Sequence, residues 1–125
     1  MIRLAIIGTG GMAHAHAKSF QSIKGCAIVT CGDIVREKAE AFAKEFGIPS
    51  FYTDPEKLLD NEKLDAVSVV TTDRMHCRLS LLAIAHGLHV MCEKPLSDNL
   101  KDARRMAEAA RKKGVLTAVN FSYRN

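Results

Sequence analysis

The chain has 125 residues, with 18 Lys and Arg against 14 Asp and Glu, for a formal net charge of +4. With 47% hydrophobic residues, 26% charged residues and only three prolines, disorder and collagen-like structure are excluded, and one domain burying roughly two-thirds of its unfolded surface is expected. No apolar run approaches the ~20 residues of a membrane span, and the short run from Met1 to Ile7, broken by Arg3 and ended by glycine, is unlike a secretion signal, so a cytoplasmic chain is expected.

Ile2, Leu4, Ala5, Ile6 and Ile7 form an almost continuous apolar run, the pattern of a strand covered on both faces. Helical spacing follows from Met12 through Ile23. The apolar runs Cys26–Cys31, Ala66–Val70, Leu88–Cys92 and Val115–Val119 read as further strands, and Ser50–Tyr52 as a shorter one. Val35, Ala39, Phe42, Ala43 and Phe46 fall on one helical face that Gly47 ends. Asp54 and Pro55 open a short helix, as a cap and a first-turn proline. Met75, Leu79, Leu82, Ala83 and His86 precede Gly87 with the same spacing. Leu100, Ala103, Met106, Ala107 and Ala110 precede Gly114, with Ser97 as the N-cap. The alternation predicts a doubly wound α/β domain over residues 1–125, built on six parallel strands.

The charge excess marks no obvious partner. Arg111, Lys112 and Lys113 suit the C-terminal end of a helix dipole, and no aromatics interleave with the basic residues, which argues against a nucleic-acid surface. Cys26, Cys31, Cys77 and Cys92 show no metal-site spacing and read as reduced, largely buried thiols. His14 and His16 are two apart on a helix, about 200° around, too far to share a metal. His86 and His89 flank the Gly87 turn. No metal site is expected.

Chemistry concentrates at Gly8-Thr9-Gly10-Gly11-Met12-Ala13, a G-x-G-x-x-A pattern between the first strand and the first helix. Gly8 allows the tight turn, Gly10 lets backbone approach a pyrophosphate, and Ala13 keeps helix and strand close, while the helix N-terminus offers N–H groups to phosphate. Asp33 ends the second strand, where an acid accepts from the ribose 2′-OH and repels a 2′-phosphate. That favours NAD(H) over NADP(H), although Arg36 is close enough in sequence to answer a 2′-phosphate. The third element is Glu93-Lys94-Pro95, past the fifth strand, where Lys94 would face the ligand crevice and orient a substrate hydroxyl.

Together these features resemble the Gfo/Idh/MocA oxidoreductases, named for glucose-fructose oxidoreductase, inositol dehydrogenase and rhizopine catabolism. The similarity runs along the whole chain and is most specific at GLHVMCEKPL. It implies pyrophosphate binding by Gly8, Thr9, Gly10, Gly11, Met12 and Ala13, and ribose binding by Asp33. It adds Thr71, Thr72, His76, Glu93 and Asn120 as cofactor-side residues, likens Arg124 to part of a closing Asn/Arg segment, and makes Lys94 the catalytic lysine. Where the family has Thr-Pro-Asn, this chain has Thr72-Asp73-Arg74.

The resemblance also implies a second, larger α/β domain that forms the substrate site and supplies a catalytic histidine. The chain stops at Asn125, so the expectation is a cofactor half that binds dinucleotide but has little dehydrogenase activity alone. Such a half would self-associate through surface that the second domain otherwise covers. The reading is therefore the NAD-binding domain of an oxidoreductase acting on a sugar, cyclitol or related hydroxy compound. The alternative is a dinucleotide-binding or regulatory module that catalyses nothing. A methyltransferase-like domain is disfavoured by the Lys94 segment and the glycine spacing.

Overall fold

The computed structural model describes residues 1–71, 73–93 and 100–120, and for residues 73–76, 93, 100, 102, 103, 119 and 120 it describes the backbone alone. In chain order the elements are β1 (Ile2–Ile7), α1 (Gly11–Gln21), β2 (Cys26–Gly32), α2 (Arg36–Phe46), β3 (Ser50–Tyr52), α3 (Pro55–Asn61), β4 (Ala66–Val69), α4 (Asp73–Ala85), β5 (His89–Glu93), α5 (Leu100–Lys113) and β6 (Thr117–Asn120). The strands form one sheet in the order β3-β2-β1-β4-β5-β6, and every pairing is parallel. The chain thus winds outward from β1 in both directions, and the reversal between β1 and β4 opens a crevice at the strands' carboxyl ends.

Alternation along β1 divides the core. Leu4 and Ile6 pack with Ala13 and Ala17 of α1 and with Phe42 and Ala43 of α2. Ala5 and Ile7 pack on the opposite face with Leu58 of α3, Leu79 and Ala83 of α4, and Ala110 of α5. The register between β1 and β2 slips between Leu4 and Ala5, which pair with Ile28 and Thr30. That skip puts Ile28 and Cys31, three residues apart, into the same core.

Helix ends explain where the strands begin. The N–H groups of Ile48, Leu88 and Val115 donate to the carbonyls of Ala43, Ala83 and Ala110 at 2.8, 3.1 and 3.1 Å. Each closes a helix around a preceding glycine of left-handed φ. Leu88 and Val115, expected as strand residues, are instead the apolar residues of these helix stops, so β5 and β6 start one and two residues later than expected. Asp54 caps α3 as its sequence suggests, accepting from the Glu56 N–H at 2.9 Å with Pro55 in the first turn. α1 ends at Gln21, short of Ile23, where the N–H groups of Ser22 and Ile23 turn back onto the carbonyls of Ser19 and Phe20. Ser97, the expected cap of α5, lies outside the described residues.

All four cysteines carry thiols rather than disulfides, and Cys31, Cys77 and Cys92 are buried. Burial, reinforced by the nearby charge of Asp33, pushes the Cys31 thiol up to about 12, so it is a small hydrophobe rather than a nucleophile. Among the described residues, no helix is long and apolar enough to cross a membrane.

Candidate functional site

Three backbone hydrogen bonds tie the carboxyl ends of neighbouring strands together. Gly8 N–H donates to the Gly32 carbonyl at 2.7 Å, Val70 N–H to Ile7 at 2.8 Å, and Asp33 N–H to Tyr52 at 3.0 Å. The residues just beyond these strand ends therefore converge. They line a cleft of about 450 Å³ whose walls include Gly8, Thr9, Gly10, Asp33 and Thr71. This volume lies within the range of small-molecule and cofactor sites.

The two leading glycines serve the cleft differently. Gly8 has φ +102°, and a Cβ there would lie 2.5 Å from the Val70 carbonyl oxygen, so its missing side chain lets β1 and β4 meet. Gly10 has ordinary φ −81° at the N-cap of α1, and a Cβ there would meet nothing within 4 Å. Its missing side chain leaves open space at the mouth of the cleft. Behind it, Ala13 is wholly buried, which holds α1 against the sheet. The first N–H groups of α1, at Gly11 and Met12, have no intrahelical acceptor, and the first turn carries no acidic residue. Backbone donors, charge and free space here suit a phosphate group.

Asp33 sits half-buried at the rim. Its Oδ2 accepts from the Thr9 hydroxyl at 2.6 Å and the Thr9 N–H at 3.1 Å, and its Oδ1 accepts from the Val35 N–H at 2.9 Å. Partial burial pushes this carboxyl upward. The bonds from the Thr9 hydroxyl, the Val35 N–H and the Thr9 N–H, together with the charge of Lys38, outweigh that effect and hold it below the usual aspartate value. The site thus presents a fixed carboxylate beside an open helix N-terminus. A dinucleotide with a free ribose hydroxyl fits both features.

The sequence-predicted residues divide accordingly. Gly8, Thr9, Gly10, Asp33 and Thr71 share the cleft, whereas Gly11, Met12 and Ala13 form the start of α1 behind it. His76, Glu93 and Asn120 lie in α4, β5 and β6, where only their backbones are described. Thr72, Lys94 and Arg124 lie outside the described residues. Arg36, close enough in sequence to answer a 2′-phosphate, places its guanidinium 5.3 Å from the centre of the Phe51 ring.

Lys38, unremarked in the sequence, is the cation that lines the cleft among the described residues, together with Ile34, Val35, Thr53 and Pro55. Val35 and Lys38 are three apart at the start of α2, a spacing that puts both on one helical face and could have flagged them. The helix histidines are structural contacts. Nδ1 of His14 meets the Gly10 carbonyl oxygen at 2.8 Å and Nε2 meets Glu45 at 3.1 Å, whereas buried His16 meets the Ser68 hydroxyl at 2.8 Å.

Comparison with known proteins agrees with this geometry. Residues 2–121 match the oxidoreductase family with an NAD-binding Rossmann fold, Gfo/Idh/MocA, and the chain belongs to that family. It is 37% identical over 124 residues to D-glucoside 3-dehydrogenase of Escherichia coli K12, covering 98% of this chain and 35% of that protein. It is 32% identical over 124 residues to the NAD(+) scyllo-inositol 2-dehydrogenase of Bacillus subtilis 168, covering 98% and 36%. A Bacillus subtilis scyllo-inositol 2-dehydrogenase described as using NADP(+) is 30% identical over 116 residues, covering 93% and 35%. Relatives of similar identity thus differ in cofactor.

Among solved structures, a probable dehydrogenase from Thermotoga maritima superposes with TM-score 0.91 at 30% identity, covering 98% of this chain and 37% of that one. An oxidoreductase from Agrobacterium radiobacter, solved with NAD+, L-tartaric acid and magnesium, gives 0.94 at 27%, covering 98% and 36%. The chain spans little more than a third of the length of these relatives.

Proposed function

We propose that this domain binds NAD(H) in the cleft between Gly8–Gly10 and Asp33 and serves an oxidoreductase acting on a sugar, cyclitol or related hydroxy compound. The observation that carries the cofactor choice is the fixed Asp33 carboxylate, which accepts from a ribose hydroxyl and repels a 2′-phosphate. The substrate class rests on the relatives, which are described as glucoside and inositol dehydrogenases.

Each wall of the cleft has a task in this reading. Gly10 leaves room for the pyrophosphate, and the N–H groups of Gly11 and Met12 donate to it. Ile34, 84% exposed beside Asp33, offers an apolar shelf for the adenine. Thr71, Thr72, His76, Glu93 and Asn120 complete the cofactor side on the strength of the family resemblance. On the same ground Lys94 orients the substrate hydroxyl and relays its proton. The dinucleotide, when bound, supplies the hydride acceptor or donor.

Calorimetric titration with NAD+ and NADP+ tests the reading. NAD+ should bind more tightly. Asp33→Ala should remove a charged hydrogen bond worth about 2 kcal/mol, roughly thirtyfold in Kd, and narrow the gap between the cofactors. Tighter binding of NADP+ by the unmutated chain would sink it.

A further inference from the structure

Asp33 does not stand alone at the cleft. It is 24 residues from Thr9 in sequence, yet Thr9 gives it both available donors, hydroxyl and N–H, on a single oxygen. Thr9 is only 5% exposed and sits in the turn between Gly8 and Gly10, where the strand-end hydrogen bonds hold the backbone. Its hydroxyl reaches Oδ2 at 2.6 Å, the short distance typical of a hydroxyl donating to an ionised carboxylate. A carboxylate has about four lone-pair positions. Thr9 fills the two on Oδ2, and the Val35 N–H fills one on Oδ1. Among the described residues no other donor reaches the carboxylate, which leaves one position, on Oδ1.

We infer that Thr9 is a positioning residue for cofactor discrimination, which locks the Asp33 carboxylate so that it offers one open acceptor, on Oδ1, to a single ribose hydroxyl. The inference rests on the proposed NAD(H) site and deepens it. A locked carboxylate cannot swing aside to admit a 2′-phosphate, so charge repulsion acts undiminished. A carboxylate released from Thr9 turns toward solvent, or takes a proton, and loses both its acceptor geometry and its repulsion. The x of the G-x-G turn thereby contributes to selectivity through Asp33.

Among the described groups around the carboxylate, Asp33 itself is the one whose titration sets the acid limb, and it lies below the usual aspartate value. Lys38 is the cation facing it from α2, and Arg36 on the same helix is stacked on Phe51. Cys31 below it in β2 stays neutral, and the Tyr52 hydroxyl on β3 is engaged with Glu62. The Thr9 loop adds hydrogen-bond donors but no charge.

Thr9→Val removes the hydroxyl at nearly constant volume, and Thr9→Ser restores it. Kd values for NAD+ and NADP+ are measured for the wild type and both variants from about pH 2.5 to 7, and the Asp33 carboxyl carbon is titrated by NMR over the same range in the cofactor-free chain. In Thr9→Val, NAD+ affinity should fall about tenfold, with a smaller change for NADP+. Its Asp33 midpoint and the acid limb of NAD+ binding should both move to higher pH. Thr9→Ser should behave as wild type in all of these, and a purely structural role for Thr9 would leave the midpoint and the selectivity unmoved. If the wild type binds NAD+ and Thr9→Val keeps its selectivity and its Asp33 midpoint, the positioning role is overturned while the cofactor site stands. If the wild type binds neither dinucleotide, the site itself is wrong and the positioning role falls with it.

Discussion

Gly8 and Gly10 lie two residues apart in one loop, yet their substitutions should fail in opposite ways. An alanine at Gly8 must adopt φ +102°, a strain of about 1–3 kcal/mol. Its Cβ would also sit 2.5 Å from the Val70 carbonyl oxygen and 3.1 Å from Thr71 Cγ2. Because the nearer obstacle is the Val70 backbone just past β4, relief requires the ends of β1 and β4 to part, and overpacking of that kind costs about 1–3 kcal/mol. Gly8→Ala should therefore lose about 4 kcal/mol from a total of about 5–15. At a slope near 2 kcal/mol/M the urea midpoint would fall by about 2 M.

Gly10→Val meets no atom within 4 Å and an ordinary φ. Losing glycine at the N-cap should cost the fold about 1 kcal/mol or less. Its side chain would instead fill the pyrophosphate path, so NAD+ affinity should drop at least tenfold. Urea unfolding and calorimetry on the same preparations separate the outcomes. A Gly8→Ala midpoint within about 0.5 M of wild type would refute the packing argument. Undiminished NAD+ binding by Gly10→Val would show that the phosphates lie elsewhere.

The contrast also shows which parts of the site are legible in sequence. The G-x-G-x-x-A spacing locates the loop, and Asp33 after an apolar run locates the rim, because both are local patterns attached to recognisable strands. The helix stops at Gly47, Gly87 and Gly114 are legible for the same reason. What Gly8 avoids is not local. Its obstacle is Val70, 62 residues away, and becomes visible only when β1 and β4 are neighbours. The Thr9–Asp33 contact is hidden similarly, since the x of G-x-G accepts many residues and nothing nearby names its partner. Ile34, just before α2, and Lys38, in its first turn, are not legible in sequence, because exposed residues around a helix start look like ordinary solvent-facing positions until the segments after β3 and β4 close the cleft around them. Arg36 shows the converse. Its distance from Asp33 in sequence suited a phosphate ligand, but Phe51 on β3 offers its ring to the guanidinium.

Two further predictions concern α4, the helix that carries Leu79 to the cleft wall. The Ser80 hydroxyl is buried and finds no hydrogen-bond partner among the described residues. Ser80→Ala should therefore raise stability by about 1 kcal/mol in urea unfolding, and a loss of that size would mean that the hydroxyl is bonded after all. At the end of the same helix, His86 Nδ1 meets the Leu82 carbonyl oxygen at 2.9 Å and Nε2 meets Asp60 of α3 at 3.0 Å. The bond to Leu82, then that to Asp60, raise the imidazole above its ordinary 6.5, against partial burial and the charge of Lys113. A raised histidine stabilises the fold fully below its unfolded value, near pH 6.5, and that contribution disappears as pH climbs through the higher folded value. Because Asp60 is two-thirds exposed, solvent screening limits the contribution to less than about 1 kcal/mol. Wild type should therefore exceed His86→Gln in stability at pH 5.5 by more than it does at pH 8.5. Parallel stability curves for the two proteins across that interval would show that the α3–α4 contact carries no charge.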